Sequence, residues 1–91
     1  MKITVIDDEE LLRDVICEFL KMEGHEITEA ENGLKGLELI KASPPDLIIC
    51  DVRMPEMNGE TLGEKLSAMP MAKDMKLIMM TSIGEYSDMN V

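Results

Sequence analysis

The segment DLIICDVRMPEMNG, residues 46–59, decides how this sequence folds. Its apolar run LIIC (47–50) is too short for a helix and carries β-branched residues, which predicts a strand buried on both faces. The strand ends at Asp51, so we expect this carboxylate in the crevice above the sheet, where open α/β sheets bind ligands. Pro55 and the NG pair at 58–59 predict a restrained loop before the next helix.

A second short apolar run, ITVI at residues 3–6, ends in the acidic residues Asp7, Asp8 and Glu9. If the two strands are parallel neighbours, these carboxylates collect with Asp51 at one edge of the sheet. Carboxylates that close repel one another unless a cation neutralises them. A hard divalent ion such as Mg²⁺ suits such a set. The plainer alternatives are that Asp51 is only a polar strand end and that Asp7 and Asp8 cap the following helix.

Composition bounds the class of protein. A chain of 91 residues with 45% hydrophobic content predicts one globular domain over residues 1–91. The 19 acidic and 9 basic residues give a net charge of −10, which disfavours direct binding to nucleic acid or to an anionic membrane. The sequence has no secretory signal and no apolar run long enough to cross a bilayer, so we expect a cytoplasmic protein. Cys17 and Cys50 lack metal or redox spacing and are expected to be buried apolar residues.

The rest of the sequence alternates between helical and strand patterns. The predicted elements after the first strand are a helix at 10–22 ended by Gly24, an edge strand at 25–30, a turn at 32–33, a helix ended by Ser43, the strand to Asp51, a helix at 59–68, a strand at 76–82 and the start of a helix at 84–91. This β-α-β-α-β-α-β order predicts a parallel sheet with right-handed crossovers and helices on both faces.

Several motifs together resemble the receiver domain of two-component response regulators, the CheY-like family. They are VIDDE (5–9), AENG (30–33), PDLIICD (45–51), MPEMNG (54–59) and LIMMTS (77–82), and the resemblance covers essentially all 91 residues. It implies a flavodoxin-like, doubly wound parallel sheet with strand order 2-1-3-4-5. It also implies a signalling domain that takes a phosphoryl group from a histidine kinase or phosphotransfer protein, rather than a conventional enzyme.

The resemblance implies a role for each site residue. Asp51 would accept the phosphoryl group as an acyl phosphate. Asp8, Asp51 and the backbone carbonyl of Arg53 would bind Mg²⁺, with Asp7 acting through water. The hydroxyl of Thr81 would contact the phosphoryl group and move inward as the signalling switch.

The sequence departs from the family at its end. The family continues through a fourth helix, a fifth strand ending in a lysine, and a fifth helix, whereas this sequence ends at Val91. We therefore expect a receiver domain that is incomplete at its C-terminus, with the sheet ending at the fourth strand. An exposed apolar strand at a sheet edge pairs readily with another chain, which predicts a homodimer or a domain-swapped form.

Three other functions are alternatives to a phospho-accepting receiver. One alternative is retained because the family's terminal lysine is missing. It is a receiver-like interaction or dimerisation module that no longer switches. A phosphatase with an Asp-x-Asp pair is disfavoured because Arg53 occupies the place of the second acid. An FMN-binding flavodoxin is disfavoured because the loop after the first strand is acidic where it should hold a phosphate.

Overall fold

The strands and helices alternate along the chain as the sequence predicts. A computed structural model describes residues 1–51, 59–70 and 72–80. Its elements are β1 (Lys2–Ile6), α1 (Glu10–Met22), β2 (Glu26–Ala30), α2 (Gly33–Ala42), β3 (Leu47–Asp51), α3 (Gly59–Ser67), a short 3₁₀ helix (Ala72–Asp74) and β4 (Lys76–Met80). The helix predicted at 84–91 lies outside the described residues, as do the last two residues of the strand predicted at 76–82.

The four strands form one parallel sheet in the order β2-β1-β3-β4. This confirms the flavodoxin-like topology and the edge position of β2. Residues Ile3 to Ile6 of β1 pair with Leu47 to Cys50 of β3 in an unbroken register. The residues that follow Ile6 and Cys50 therefore leave the sheet side by side.

Each face of the sheet has its own apolar core. The face covered by α2 and α3 buries seven side chains, which are Ile6, Ala30, Ile40, Ile48, Cys50, Leu62 and Leu66. On the face covered by α1, the fully buried side chains among the described residues are Ile3, Val5 and Cys17. The period-2 alternation of a strand explains this division, since successive side chains point to opposite faces.

The helices cover the two faces of the sheet unequally. The strand β3 was expected to be buried on both faces, but only Ile48 and Cys50 are fully buried, while Leu47 and Ile49 are half-buried. On the α1 side, Ile78 of β4 is 51% exposed and Phe19 of α1 is 61% exposed. The prediction was wrong because, in the described part of the chain, α1 is the one helix on this face, and it is too narrow to cover four strands.

Local chemistry sets the helix ends. Gly24 adopts a φ of +90°, the left-handed region that glycine enters without steric cost, and its N–H donates to the Lys21 carbonyl 3.0 Å away. Asn32 was predicted to lie in a turn. Its side chain accepts a 2.8 Å hydrogen bond from the Lys35 N–H and so also caps α2. The cap fixes the path of the chain from β2 into α2, next to the acidic edge.

Candidate functional site

The acidic residues predicted for the site meet at the carboxyl edge of the sheet. Asp7 follows Ile6 of β1, and Asp51 ends β3 directly after Cys50, the partner of Ile6. With Asp8, these residues bring one carboxylate oxygen each to within 4.8 Å of one another. The sequence-based prediction that Asp7, Asp8 and Asp51 share one edge is therefore confirmed.

The three carboxylates differ in exposure. Asp7 is fully buried, with 0% of its surface accessible, whereas Asp51 is half-buried and Asp8 is exposed. The site is thus open to solvent on the side of Asp8 and Asp51 and closed behind Asp7. A ligand can approach the two outer carboxylates while the inner one is held in the protein.

Hydrogen bonds hold Asp7 through three of its atoms. Its backbone N–H donates to the Ala30 carbonyl at 3.1 Å, and its carbonyl accepts a 2.7 Å bond from Nη1 of Arg13. Its carboxylate Oδ1 accepts the Glu9 N–H at 2.8 Å. The alternative that Asp7 or Asp8 is the helix N-cap is wrong, because Glu9 holds that position and makes no side-chain cap bond.

The pKa of Asp7 is raised above its ordinary value. Burial is the largest cause, since it disfavours the charged form, and the negative charges of Asp51, Asp8 and Glu9 raise the pKa further. The hydrogen bond from the Glu9 N–H opposes this by lowering the pKa. Ionised Asp7 is therefore costly at this edge unless a positive charge joins it.

The donor set fits a hard divalent cation. Oδ2 of Asp7 is buried and receives no hydrogen bond from the described residues, and the Asp7 carboxylate lies beside those of Asp8 and Asp51. Buried polar atoms normally have a partner, and leaving one unpaired costs about 1–3 kcal/mol. Oxygen donors alone, with room for water on the open side, suit Mg²⁺ better than a softer metal.

Two predicted site residues cannot be placed. Arg53, whose backbone carbonyl was assigned to the metal, and Thr81, assigned as the switch hydroxyl, both lie outside the described residues. Their roles stay predictions. Met80, the residue before Thr81, pairs with Asp51 in the β3–β4 register.

Both cysteines are buried free thiols, as expected. Cys50 lies directly before Asp51, and its Sγ donates to the Asp51 carbonyl at 3.3 Å. Burial, with smaller contributions from the charges of Asp51 and Asp7, raises the pKa of Cys50 to about 12. Cys50 is therefore a packing residue behind the site and not a nucleophile at neutral pH.

Sequence reasoning missed Arg13 and Glu29, which contact one another behind Asp7. Nε of Arg13 donates to Oε1 of Glu29 at 3.0 Å, while Nη1 reaches the Asp7 carbonyl. A weak signal was present, since Arg13 is the one basic residue between Lys2 and Lys21. Its distance from Asp7 depends on how α1 packs against the sheet, which spacing along the chain does not reveal.

Known proteins match both the sequence and this geometry. Residues 3–91 match the family described as the response regulator receiver domain. The chain belongs to this family. Its place in two-component signalling and its CheY-like fold, expected from the motifs, are thereby confirmed.

Several curated proteins resemble this receiver domain. A chemotaxis protein CheY homolog of Campylobacter jejuni is 38% identical over 86 residues, which cover 92% of this chain and 66% of the relative. Sporulation initiation phosphotransferase F of Bacillus subtilis is 30% identical over 84 residues, with 92% and 66% coverage. The DNA-binding dual master transcriptional regulator RpaA of Synechocystis is 31% identical over 87 residues, or 96% of this chain and 36% of that protein. This chain thus spans about one-third to two-thirds of these relatives.

Solved structures show the same fold. The N-terminal domain of a response regulator receiver protein from Methanoculleus marisnigri is 29% identical with a TM-score of 0.83, covering 98% of this chain and 76% of that chain. Chemotaxis protein CheY4 of Vibrio cholerae is 25% identical with a TM-score of 0.83, covering 98% of this chain and 77% of that chain. In the described part of this receiver domain, no helix is both long and apolar enough to cross a membrane.

Proposed function

We propose that this receiver domain accepts a phosphoryl group on Asp51 from the phosphohistidine of a histidine kinase or phosphotransfer protein. The observation that supports this most is the meeting of Asp7, Asp8 and Asp51 at the carboxyl edge of a parallel sheet. Asp51 is half-buried at the end of a rigid strand, which restrains the direction of its carboxylate while leaving it accessible.

The transfer step follows from the chemistry of a carboxylate. A carboxylate oxygen of Asp51 attacks phosphorus, and a new O–P bond gives an acyl phosphate. The P–N bond to the donor imidazole breaks, and its electron pair stays on the imidazole nitrogen. Phosphoryl transfer depends mainly on alignment and charge stabilisation, so a carboxylate fixed at a strand end is a suitable acceptor.

We assign the Mg²⁺ site to Asp8, Asp51 and the backbone carbonyl of Arg53, with Asp7 acting through water. A bound Mg²⁺ would offset the negative charge of the transferring group. Asp7 contributes a buried carboxylate at the edge where the other two lie, and its Oδ2 has no hydrogen-bond partner among the described residues. Thr81 would donate its hydroxyl to a phosphoryl oxygen, since its neighbour Met80 pairs with Asp51 across the sheet.

Beryllofluoride, a mimic of the phosphoryl group, tests this assignment without a kinase. NMR spectra of the wild type with Mg²⁺ and beryllofluoride should show shifts at Asp51 and Thr81, and none when Mg²⁺ is omitted. Asp51→Asn should show no shifts, while Asp74→Asn, which changes an exposed acid on the short 3₁₀ helix, should behave as the wild type. A folded wild-type protein that shows no shifts with Mg²⁺ would overturn the proposal.

A second candidate function is a receiver-like dimerisation module that does not switch. It is favoured by β4, which pairs with β3 on one side, and by the half-exposed side chains of Ile78 and Met79 on that strand. Apolar edge strands associate readily with other strands. Light scattering distinguishes the candidates: a constant dimer mass with and without beryllofluoride supports the module, and a monomer at high micromolar concentration rejects it.

A further inference from the structure

We propose that Arg13 is a positioning residue for the acidic site, holding Asp7 in place through its backbone carbonyl. This inference rests on the proposed Mg²⁺-dependent function of the site. Arg13 contacts neither the transferring group nor the solvent-exposed side of the acidic site. Its effect on the site is therefore exerted through Asp7.

The contacts of Arg13 tie three elements together. Arg13 lies in the first turn of α1, and its side chain is only 13% exposed. Nη1 donates to the Asp7 carbonyl at 2.7 Å, and Nε donates to Glu29 of β2 at 3.0 Å. The planar guanidinium holds these two donors in a fixed relation, which a lysine ammonium cannot do.

These contacts matter because they complete the restraint on Asp7. The Asp7 N–H is bonded to Ala30, Oδ1 is bonded to the Glu9 N–H, and the carbonyl is bonded to Arg13. Among the described residues, Arg13 is the one whose side chain donates a hydrogen bond to Asp7. With these atoms held, the Asp7 carboxylate is fixed beside those of Asp8 and Asp51 before a cation arrives.

The role is geometric rather than electrostatic. The charge of Arg13 is offset by its partner Glu29. Arg13 and Glu29 also line an open cleft of about 390 Å³. A shortened side chain at position 13 would leave room for water from this cleft to reach the Asp7 carbonyl, and the restraint would be lost.

The direction of the change in Mg²⁺ affinity distinguishes a positioning role from an effect of charge. Removing a positive charge near a cation site should strengthen Mg²⁺ binding if charge alone matters. Loss of positioning should weaken it, and outer partners of metal ligands are typically worth about 10–100-fold in affinity. Lys35→Met is the matched control, because Lys35 is a cation that lines the same cleft and pairs with Glu31.

The experiment measures Mg²⁺ affinity by calorimetry for the wild type, Arg13→Met, Arg13→Lys and Lys35→Met, well below each melting temperature. We expect Arg13→Met to bind Mg²⁺ about 10-fold more weakly, because the Asp7 carboxylate loses its fixed direction. Arg13→Lys should fall between Arg13→Met and the wild type, and Lys35→Met should bind as tightly as the wild type or slightly more tightly. Melting temperatures in EDTA show which variants are folded.

The outcomes distinguish this inference from the proposed function. Folded Arg13→Met with wild-type Mg²⁺ affinity overturns the role of Arg13 and leaves the function intact. A wild type that binds no Mg²⁺ overturns the proposed function first. If Arg13→Met does not fold, Arg13→Lys decides the matter: unchanged affinity in that variant contradicts positioning, and weakened affinity with an unchanged melting temperature supports it.

Discussion

Asp7 and Asp51 occupy equivalent positions at the ends of neighbouring strands, yet they differ in burial. Asp7 is fully buried, hydrogen-bonded through its N–H, its carbonyl and Oδ1, and has a raised pKa. Asp51 is half-buried on the open side of the same edge. The difference shows how two identical side chains at one edge can be given different environments, one enclosed by the protein and one accessible from solvent.

The proposed metal ligands should show the largest effect. We expect Asp8→Asn to weaken Mg²⁺ binding on the order of 100-fold, because two unit charges about 4 Å apart interact by about 4 kcal/mol at an effective dielectric constant of 20, and solvent screening at the exposed Asp8 leaves only part of this attraction. Asp7→Asn, which acts through water, should weaken it less. Calorimetric titration measures both. A larger loss for Asp7→Asn than for Asp8→Asn would make Asp7 the direct ligand.

The strand that precedes Asp7, β1, packs closely against α2. A methyl group at Gly36 of α2 would overlap Cδ1 of Ile6 and lie 2.8 Å from its Cγ1, and Ile6 is fully buried. We expect Gly36→Ala to lower the free energy of unfolding by about 1–3 kcal/mol, which urea denaturation measures.

Gly63→Ala in α3 is the matched control. Its methyl group would meet Cε of Met79 at 3.2 Å and Cδ2 of Leu77 at 3.3 Å, which are the ends of flexible side chains. Alanine is favoured over glycine in a helix by about 1 kcal/mol, so Gly63→Ala should be close to neutral or stabilising. Equal losses for the two variants would contradict the tight fit of α2 on β1.

The raised pKa of Asp7 predicts how stability depends on pH. Because the folded protein holds the Asp7 proton more tightly than the unfolded chain, this group stabilises the fold fully below its ordinary pKa of 3.8 and loses that effect as the pH rises through the raised pKa. In EDTA, the wild type should therefore lose stability relative to Asp7→Asn as the pH rises from about 4 to 7.

Saturating Mg²⁺ should reverse that loss in the wild type. Binding to the folded state alone adds about 2.7 kcal/mol when the free ion is at 100 times its dissociation constant. Thermal melts across this pH range, with and without Mg²⁺, measure both effects. A stability difference between the wild type and Asp7→Asn that does not change with pH in EDTA would show that Asp7 is not the buried titrating group.

The smallest expected effect concerns Cys50, which shares β3 with Asp51. Its burial and its pKa of about 12 predict very slow alkylation by iodoacetamide at neutral pH in the folded protein. The same thiol should react readily in denaturant, and mass spectrometry after digestion follows the modification. Rapid alkylation of the native protein would show that the end of β3 opens, and Asp51 would then not be held rigidly.

The sequence predicts the fold and the acidic edge well because both depend on local pattern. Short β-branched runs mark the strands, and the position of Asp51 at the end of one of them follows from where the apolar run stops. The parallel pairing that brings Asp7 beside Asp51 follows from the alternation of strands and helices. These inferences need only the order of residue types along the chain.

Other features depend on packing and were missed. Periodicity marks the apolar residues Val15 and Phe19 of α1 as a face of the helix, but it does not say that both side chains stay exposed in the folded protein. The contact between Arg13 and the Asp7 carbonyl depends on the height and rotation of α1 above β1. The depth at which Asp7 is buried, which raises its pKa, likewise appears only once the helices are placed.

The most direct test of the central claim is to incubate the protein with Mg²⁺ and acetyl phosphate, a small-molecule phosphoryl donor, and to locate the incorporated group by mass spectrometry. The account predicts one phosphoryl group per chain, attached to Asp51, dependent on Mg²⁺ and absent from Asp51→Asn. A folded, Mg²⁺-binding wild type that takes up no phosphoryl group, or an Asp51→Asn variant that takes it up equally well, would contradict the account.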